Sequence, residues 1–549
     1  MPNKRRIRIL LALITLCFLL LNLKFMYLQL FLHNRYYKEA ASQRSMSIKI
    51  CNNRGIIYDR NMIPLVNNNL VKYVIVFPEL IINKSETEIL LQKISQDKSI
   101  KEKLSLRNPF VLKVLEKNIG QDLMENLNKN AIFVMDNFER YGSKNFARHL
   151  IGYTAPGDEH GRAGIEKAYD KFLFSMRGKY VGSITDALHH SITGLGTRFI
   201  DEQDYNGELD VKLTLDFHIQ QIVERYMDQN KISGAVVALR ISDGDIVAVG
   251  SRPQFEQDNI SKYLNSEGNE LVNKALSAFN IGSVFKIVVA AATLEDGLSS
   301  LSDTFYCNGS KEVEKRLFRC SASHELIDLQ KAFSVSCNSA FISLGLKVGK
   351  EKVLNMAKKF GFGEYTGLSE LGISESSGNL SETKYNSKKE VANIAIGQGD
   401  IMVTPLQAAS LIATIANDGI KTSINLVDSV IDSDGKIVKK IKTLNKKRVI
   451  TSDTAARLKL MMEEVTEAGT GKKANIPTFG GSAGKTGTAQ TGWVQGRQTK
   501  VHGWFAGYFP RKNPQYALVV FVDNGQSGSE VAAPIFGQIA TEIMKLGKR

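Results

Sequence analysis

Apolar and polar positions change period several times along these 549 residues. The first long pattern is an apolar run from Ile9 to Leu32, interrupted in its second half by Asn22, Lys24 and Gln29. It is long enough to cross a bilayer as a helix. Lys4, Arg5, Arg6 and Arg8 precede it. That flank predicts residues 1–8 as a cytoplasmic tail, 9–32 as a transmembrane anchor, and the rest outside. A cleaved signal peptide is the alternative reading. The best small-residue site, Ala40-Ala41-Ser42, lies well beyond the apolar run, which favours an uncleaved anchor.

Further on, Ile56 to Tyr58 and Val71 to Phe77 read as strands, the first closed by the turn signal Asp59-Arg60-Asn61. Lys84 to Lys129 is charged and reads as helical, with Ile89, Leu90 and Ile94 at helical spacing. His149 and Glu166 are a nominal acid–base pair, but packing or a structural salt bridge is the simpler reading. The chain turns polar from Thr197 to Glu208, which predicts a boundary between a domain over 45–205 and a second over 210–549. In the second, Val211 to Leu215 alternates as a strand and Asp216 caps a helix from Phe217 to about Asn230. Ala235 to Leu239 and Ile246 to Val249 form an apolar hairpin around Asp243-Gly244. An apolar helix follows through Ile287 to Ala292. A hairpin-bearing sheet beside a buried helix predicts an α+β fold.

Composition adds limits. Hydrophobic content of 43% and charged content of 23% are those of a globular protein. The net charge of +15 suits an anionic membrane face or a cell-wall polymer. With no zinc-finger, RRM or helix-turn-helix signature, no nucleic-acid partner is expected. Five cysteines are too few and too scattered for a disulfide scaffold.

The candidate chemistry starts at Gly282-Ser283-Val284-Phe285-Lys286. In a helix, Ser283 and Lys286 share a face, which pairs a weak hydroxyl nucleophile with an amine able to activate it. Ser283 would stand in the first turn, where free N–H groups favour developing negative charge. Ser336-Cys337-Asn338 precedes another apolar helix. Lys485-Thr486-Gly487-Thr488 follows a glycine-rich stretch and precedes the strand-like Trp504 to Tyr508. Each motif alone is unspecific.

In this order and spacing the three motifs match a set shared by penicillin-binding proteins and serine β-lactamases. The chain resembles the penicillin-binding protein transpeptidases, specifically the monofunctional class B group of the division and sporulation type. Arg54 to Asn61, Glu139 to Tyr153 and Gly161 to Asp170 are similar to the pedestal motifs of that group. Gly397-Gln398-Gly399 with Thr404 to Gln407 is similar to a further segment of its transpeptidase domain. The resemblance implies an elongated pedestal over 45–205 and a transpeptidase domain over 210–549, an antiparallel sheet flanked by helices.

It also implies cross-linking of peptidoglycan stem peptides and acylation by β-lactams. Ser283 would be the nucleophile, Lys286 the general base and Ser336 a proton relay. Asn338 would bind Lys286 and the substrate amide. Lys485, Thr486 and Thr488 would hold the terminal carboxylate, with Gly487 leaving the strand edge open. The N–H groups of Ser283 and Thr488 would form the oxyanion hole. The implied partners are stem peptides, the membrane, a polytopic glycosyltransferase and other cell-wall machinery. No Glu-x-x-Asn hydrolytic base stands near Ser336, which implies slow deacylation and a transferase rather than a β-lactamase. A D,D-carboxypeptidase, or a sensor or scaffold that binds without turnover, is the alternative. No cofactor is expected for the chemistry itself.

Cys307-x12-Cys320-x3-His324 is a separate feature. Two thiolates and an imidazole at this spacing suit tetrahedral zinc, with Asp303 or Cys337 as fourth ligand. A Cys307–Cys320 disulfide or buried thiols are the other readings.

Overall fold

The computed structural model describes residues 4–32, 45–95, 97–106, 108–114, 132–142, 145–155, 160–184, 197–201, 209–380, 387–495, 498–525 and 527–547. The first element is the helix α1 (Lys4–Phe31), and its stretch Arg6–Leu30 is long and apolar enough to cross a membrane. The Ala40-Ala41-Ser42 site lies outside the described residues, as do 202–208 of the polar stretch read as a boundary.

The remaining chain forms two compact, interleaved units. One takes Met1–Asn53, Asn69–Glu139 and Ser175–Asn206; the other takes Arg54–Asn68, Arg140–Phe174 and Gly207–Arg549. In the first unit, Asn69–Val76 is the middle strand of three, between Phe110–Lys113 and Ile132–Glu139. The expected helical stretch holds at Lys84–Ile94 and Ile100–Ser105 but gives way to the strand Phe110–Lys113. There the apolar residues alternate: Phe110 and Leu112 are buried and Lys113 is exposed, which is strand periodicity. The part of that stretch beyond residue 114 lies outside the described residues.

The second unit is built on a five-stranded antiparallel sheet. Its strands are β1 (Gly234–Arg240), β2 (Ile246–Arg252), β3 (Ala483–Gln495), β4 (Gln498–Phe509) and β5 (Tyr516–Gly525), in the order β2-β1-β5-β4-β3. The predicted hairpin is therefore β1–β2, but β1 finds its other partner at the far end of the chain, with Tyr516 opposite Arg240. Alternate residues serve opposite faces. Trp504, Ala506, Val519, Phe521, Ala235 and Val237 belong to one apolar core, and Phe505, Phe509, Leu518, Val520 and Val236 to another. Both faces are covered, which is why Ala235 to Leu239 is apolar throughout rather than alternating with polar residues.

The second core also takes residues from α2 (Phe217–Gln229) and the C-terminal helix Ala533–Leu546. The Asp216 carboxylate caps α2 by accepting from the N–H groups of His218 and Ile219. The first core contains α3 (Lys286–Glu295), whose face from Ile287 to Ala291 is wholly inaccessible to solvent. Arg54–Asn68 joins this unit through Ile57 and Tyr58, which pair in parallel with Val211 and Lys212. Beside it, the fully buried Glu166 accepts from Arg54 at 2.7 Å, Arg140 at 2.8 Å and the Tyr141 hydroxyl at 2.9 Å. His149 lies elsewhere, bonded to the Glu270 carbonyl at 2.6 Å. The nominal His149–Glu166 pair is thus two separate structural contacts.

Candidate active site

Ser283 lies in a 3-10 turn, Gly282–Phe285, that runs directly into α3 at Lys286. The turn packs against β3. Gly282 has φ +58°, and a Cβ there would meet the Thr488 carbonyl oxygen at 2.6 Å. From the other side, a Cβ on Gly487 would meet the Ile281 carbonyl oxygen at 2.8 Å and Val284 Cγ2 at 2.9 Å. Gly487 therefore lets the serine turn close onto the strand, a tighter requirement than the open strand edge expected of it. The Gly282 N–H donates to the Gly397 carbonyl at 3.0 Å, which ties in the Gly397-Gln398-Gly399 segment.

Ser336 stands between α4 (Leu329–Ser334) and α5 (Asn338–Val348). The Ser336 N–H donates to the Phe333 carbonyl and the Cys337 N–H to the Ala332 carbonyl, at 3.1 and 2.8 Å. This double closure is a Schellman motif, which puts its C′ residue in the left-handed region and usually selects glycine. Here that residue is Ser336, at φ +59°. A non-glycine residue there carries backbone strain, and its Oγ lies 3.2 Å from Lys286 Nζ.

Lys286 is fully buried and reaches this loop. Its Nζ donates to the Ser336 carbonyl at 2.7 Å and to Asn338 Oδ1 at 2.7 Å, and lies 3.2 Å from Ser336 Oγ. Burial pulls its pKa from 10.5 down to about 7, against the opposing pull of charge on Cys337 and Cys320. The expected direct contact with Ser283 is replaced by these three. The chain folds so that one amine on α3 binds both polar members of the second motif.

Lys485, Thr486, Gly487 and Thr488 lie on β3 itself, not in a turn. Lys485 is fully buried, and its Nζ donates to the Thr486 carbonyl at 3.1 Å. Burial, reinforced by Lys286, holds its pKa well below the ordinary value. The rings of Phe341 and Phe333 face Lys286 and Lys485 at 5.5 and 5.6 Å. Thr486 Oγ1 is 2.6 Å from Thr470 Oγ1, and Thr488 is exposed. Thr470 was not legible in the sequence as a member of this site, since it lies on a separate loop with no motif around it. The structure thus gathers Ser283, Lys286, Ser336, Asn338 and Lys485–Thr488 at one place: a hydroxyl beside a strand edge, backed by two buried amines.

The penicillin binding protein transpeptidase domain matches residues 234–541, and the penicillin-binding protein dimerisation domain matches 49–187. The chain belongs to the penicillin-binding protein transpeptidase family. It is 30% identical to stage V sporulation protein D of Bacillus subtilis, over 98% of this chain and 85% of that protein. It is 26% identical to the peptidoglycan D,D-transpeptidase FtsI of Buchnera aphidicola, over 98% of this chain and 95% of that one. Among solved structures, penicillin-binding protein A of M. tuberculosis as a ceftriaxone acyl-enzyme is 28% identical, with a TM-score of 0.56 over 61% of this chain and 80% of that one. A chain of a peptidoglycan synthase complex that coordinates polymerization and crosslinking shares the fold, with a TM-score of 0.74, 23% identity and 99% of both chains covered.

A second cluster adjoins the Ser336 loop. Cys307, Cys320, His324 and Cys337 bring their ligand atoms within 4.8 Å of one another. Cys307 Sγ is 3.6 Å from Cys320 Sγ and 3.4 Å from His324 Nδ1, and Cys320 Sγ is 4.0 Å from Cys337 Sγ. Asp303 is not a member. Its carboxylate accepts from the Ser299 and Ser300 hydroxyls at 2.7 and 2.6 Å, so Cys337 stands as the fourth group. Hydrogen bonds from Cys337 and from the Ser339 N–H hold the Cys320 pKa down, and the same pairing pushes Cys337 up.

Proposed function

We propose that this chain is a membrane-anchored peptidoglycan D,D-transpeptidase in which Ser283 forms the acyl-enzyme. The observation that carries the residue assignment is the amine of Lys286, desolvated and held by Ser336 and Asn338. Ser283 Oγ attacks the carbonyl carbon of the D-Ala–D-Ala amide, and its proton passes to neutral Lys286. The N–H groups of Ser283 and Thr488 take the charge that develops on the carbonyl oxygen. Ser336 relays a proton to the leaving nitrogen, D-alanine departs, and a serine ester remains. An amine of a neighbouring stem attacks that ester and forms the cross-link. A β-lactam enters the same first step and stays as the ester. Lys485, donating to the Thr486 carbonyl, orders the strand from which Thr486 and Thr488 hold the donor carboxylate.

The basic flank of α1 orients the N-terminus to the cytoplasm and the catalytic unit outside. The likeness to a chain of a synthase complex supports a glycan-polymerising membrane partner. Fluorescent penicillin labelling of wild type and Ser283→Ala tests the nucleophile, and a cross-linking assay on lipid-linked glycan strands tests transfer. A Ser283→Ala protein that still labels covalently overturns the assignment. Transfer to water alone would make the protein a carboxypeptidase, and labelling without transfer a sensor.

We propose separately that Cys307, Cys320, His324 and Cys337 hold a structural zinc. With Zn–S near 2.3 Å and Zn–N near 2.0 Å, a tetrahedral site has ligand–ligand edges of about 3.5–3.8 Å. The separations of 3.4, 3.6 and 4.0 Å fit those edges, whereas a disulfide needs sulfurs at about 2.05 Å. Zinc bound by these four residues would cross-link the Cys307–His324 segment to the Ser336 loop. Elemental analysis of purified protein checks it: one zinc per chain is expected. Absence of metal together with a Cys307–Cys320 disulfide in mass spectrometry refutes it.

A further inference from the structure

Between the Ser283 helix and the Ser336 loop the chain makes an excursion with no role in the three motifs. Thr304–Cys307 pairs with Glu325–Asp328, and Ser310–Val313 pairs with Arg316–Arg319. Its inner end touches the site through a main-chain atom. The Arg319 carbonyl accepts from Asn338 Nδ2 at 2.8 Å, while Asn338 Oδ1 accepts from Lys286 Nζ at 2.7 Å.

An amide side chain has distinct ends. Reversing Asn338 would set its oxygen against the Arg319 carbonyl, losing that bond, and its NH2 against Lys286, where it could only occupy the amine's lone pair. The carbonyl therefore selects the orientation in which Oδ1 faces the amine. This matters because neutral Lys286 has two N–H bonds and one lone pair. With the N–H bonds placed on Ser336 O and Asn338 Oδ1, the lone pair is left for the hydroxyl side, where Ser336 Oγ lies at 3.2 Å. A rotated amine would present an N–H there and could not accept a proton.

The excursion is held in register by main-chain bonds and by its cysteine and histidine side chains. Cys320 directly follows Arg319, its N–H donates to the Gly309 carbonyl at 2.9 Å, and its sulfur accepts from the Ser339 N–H at 3.3 Å. The His324 N–H closes on the Cys307 carbonyl at 3.1 Å, and the His324 ring Nδ1 lies 3.4 Å from Cys307 Sγ. We propose that the segment Thr304–Asp328 is a positioning element for acylation, in which Cys320 and His324 fix the Arg319 carbonyl and, through it, the Asn338 amide that aims the Lys286 lone pair. The proposal rests on the serine–lysine reading above.

The test is a double-mutant cycle on the full-length protein with fluorescent penicillin, separating the maximal acylation rate from the non-covalent dissociation constant. Cys320→Ser is expected to lower the maximal rate about 10- to 100-fold and to change the dissociation constant by less than about 3-fold. The decisive measurement is Cys320→Ser combined with Asn338→Ala. If both act through one amide, the double variant is no slower than Asn338→Ala alone. Losses that multiply, or a loss confined to the dissociation constant, overturn the proposal. Should Cys320→Ser not fold, His324→Asn keeps every thiol and is held to the same criterion. The Ser283→Ala control separates the two readings: covalent labelling there sinks the nucleophile itself, whereas multiplicative losses with a silent Ser283→Ala sink only the coupling.

Discussion

The pKa of Lys286 makes the pH profile of acylation a sharp test. An ordinary lysine is protonated at pH 7 in all but about one molecule in several thousand, and a protonated amine cannot serve as base. Full burial brings the Lys286 pKa from 10.5 to about 7, so about half of the molecules carry the free amine at neutral pH. The shift corresponds to about 5 kcal/mol taken from the charged form. The rate of acylation by fluorescent penicillin should then rise about tenfold per pH unit up to about pH 7 and level off above it, so that at about pH 5.5 it is roughly 30-fold below the plateau. Lys286→Arg, which keeps the charge but cannot lose it, should abolish labelling over the whole range. Stability carries the same signature. Between about pH 7 and 10.5 the unfolded chain holds a proton on Lys286 that the folded chain does not, so this group's contribution rises with pH across that window. A rate still climbing at pH 10 would show that desolvation does not control this amine. A midpoint that survives in residual Lys286→Arg labelling would place the titration on another group.

Three further outcomes follow from other features. Ser336→Gly relieves the left-handed strain at φ +59°, so its melting temperature should match or exceed that of wild type, a gain of up to about 1 kcal/mol, while acylation falls for want of the hydroxyl. Glu166→Ala leaves Arg54 and Arg140 buried without their shared carboxylate and should cost about 3–5 kcal/mol in urea unfolding; Arg54→Lys, which loses the forked contact, should cost less. Asp303→Asn should leave the metal content of purified protein unchanged, because that carboxylate is occupied by Ser299 and Ser300, whereas Cys337→Ser should lower it.

Much of this was legible in the chain because the signals are local. Asp216 before an amphipathic run, Asp243-Gly244 between two apolar stretches, and the serine three residues before Lys286 each state their local structure directly. What could not be read depended on distant partners. The strand Phe110–Lys113 is too short to outweigh the charged stretch in which it lies, and only its pairing with Tyr73–Val76 makes it a strand. Gly487 read as a permissive strand glycine, but its cause is the turn at Ile281–Val284, some two hundred positions earlier. Asp303 and Cys337 were equal candidates beside Cys307 in chemistry, and the choice was made by the serines next to Asp303. Thr470 and the Arg319 carbonyl left no trace in composition or spacing. Both enter the site through folding alone.

The order of strands in the central sheet has a consequence for biogenesis. β1 and β2 are made as a hairpin, yet β1's other neighbour, β5, is made only after β3 and β4. Until then the hairpin carries an unpaired edge and two apolar faces, the condition in which strand edges aggregate. Closure of this sheet is a late, long-range event that waits for the C-terminus. A chain truncated before Tyr516 would therefore be a client for chaperones and proteases, and every new chain passes through that state.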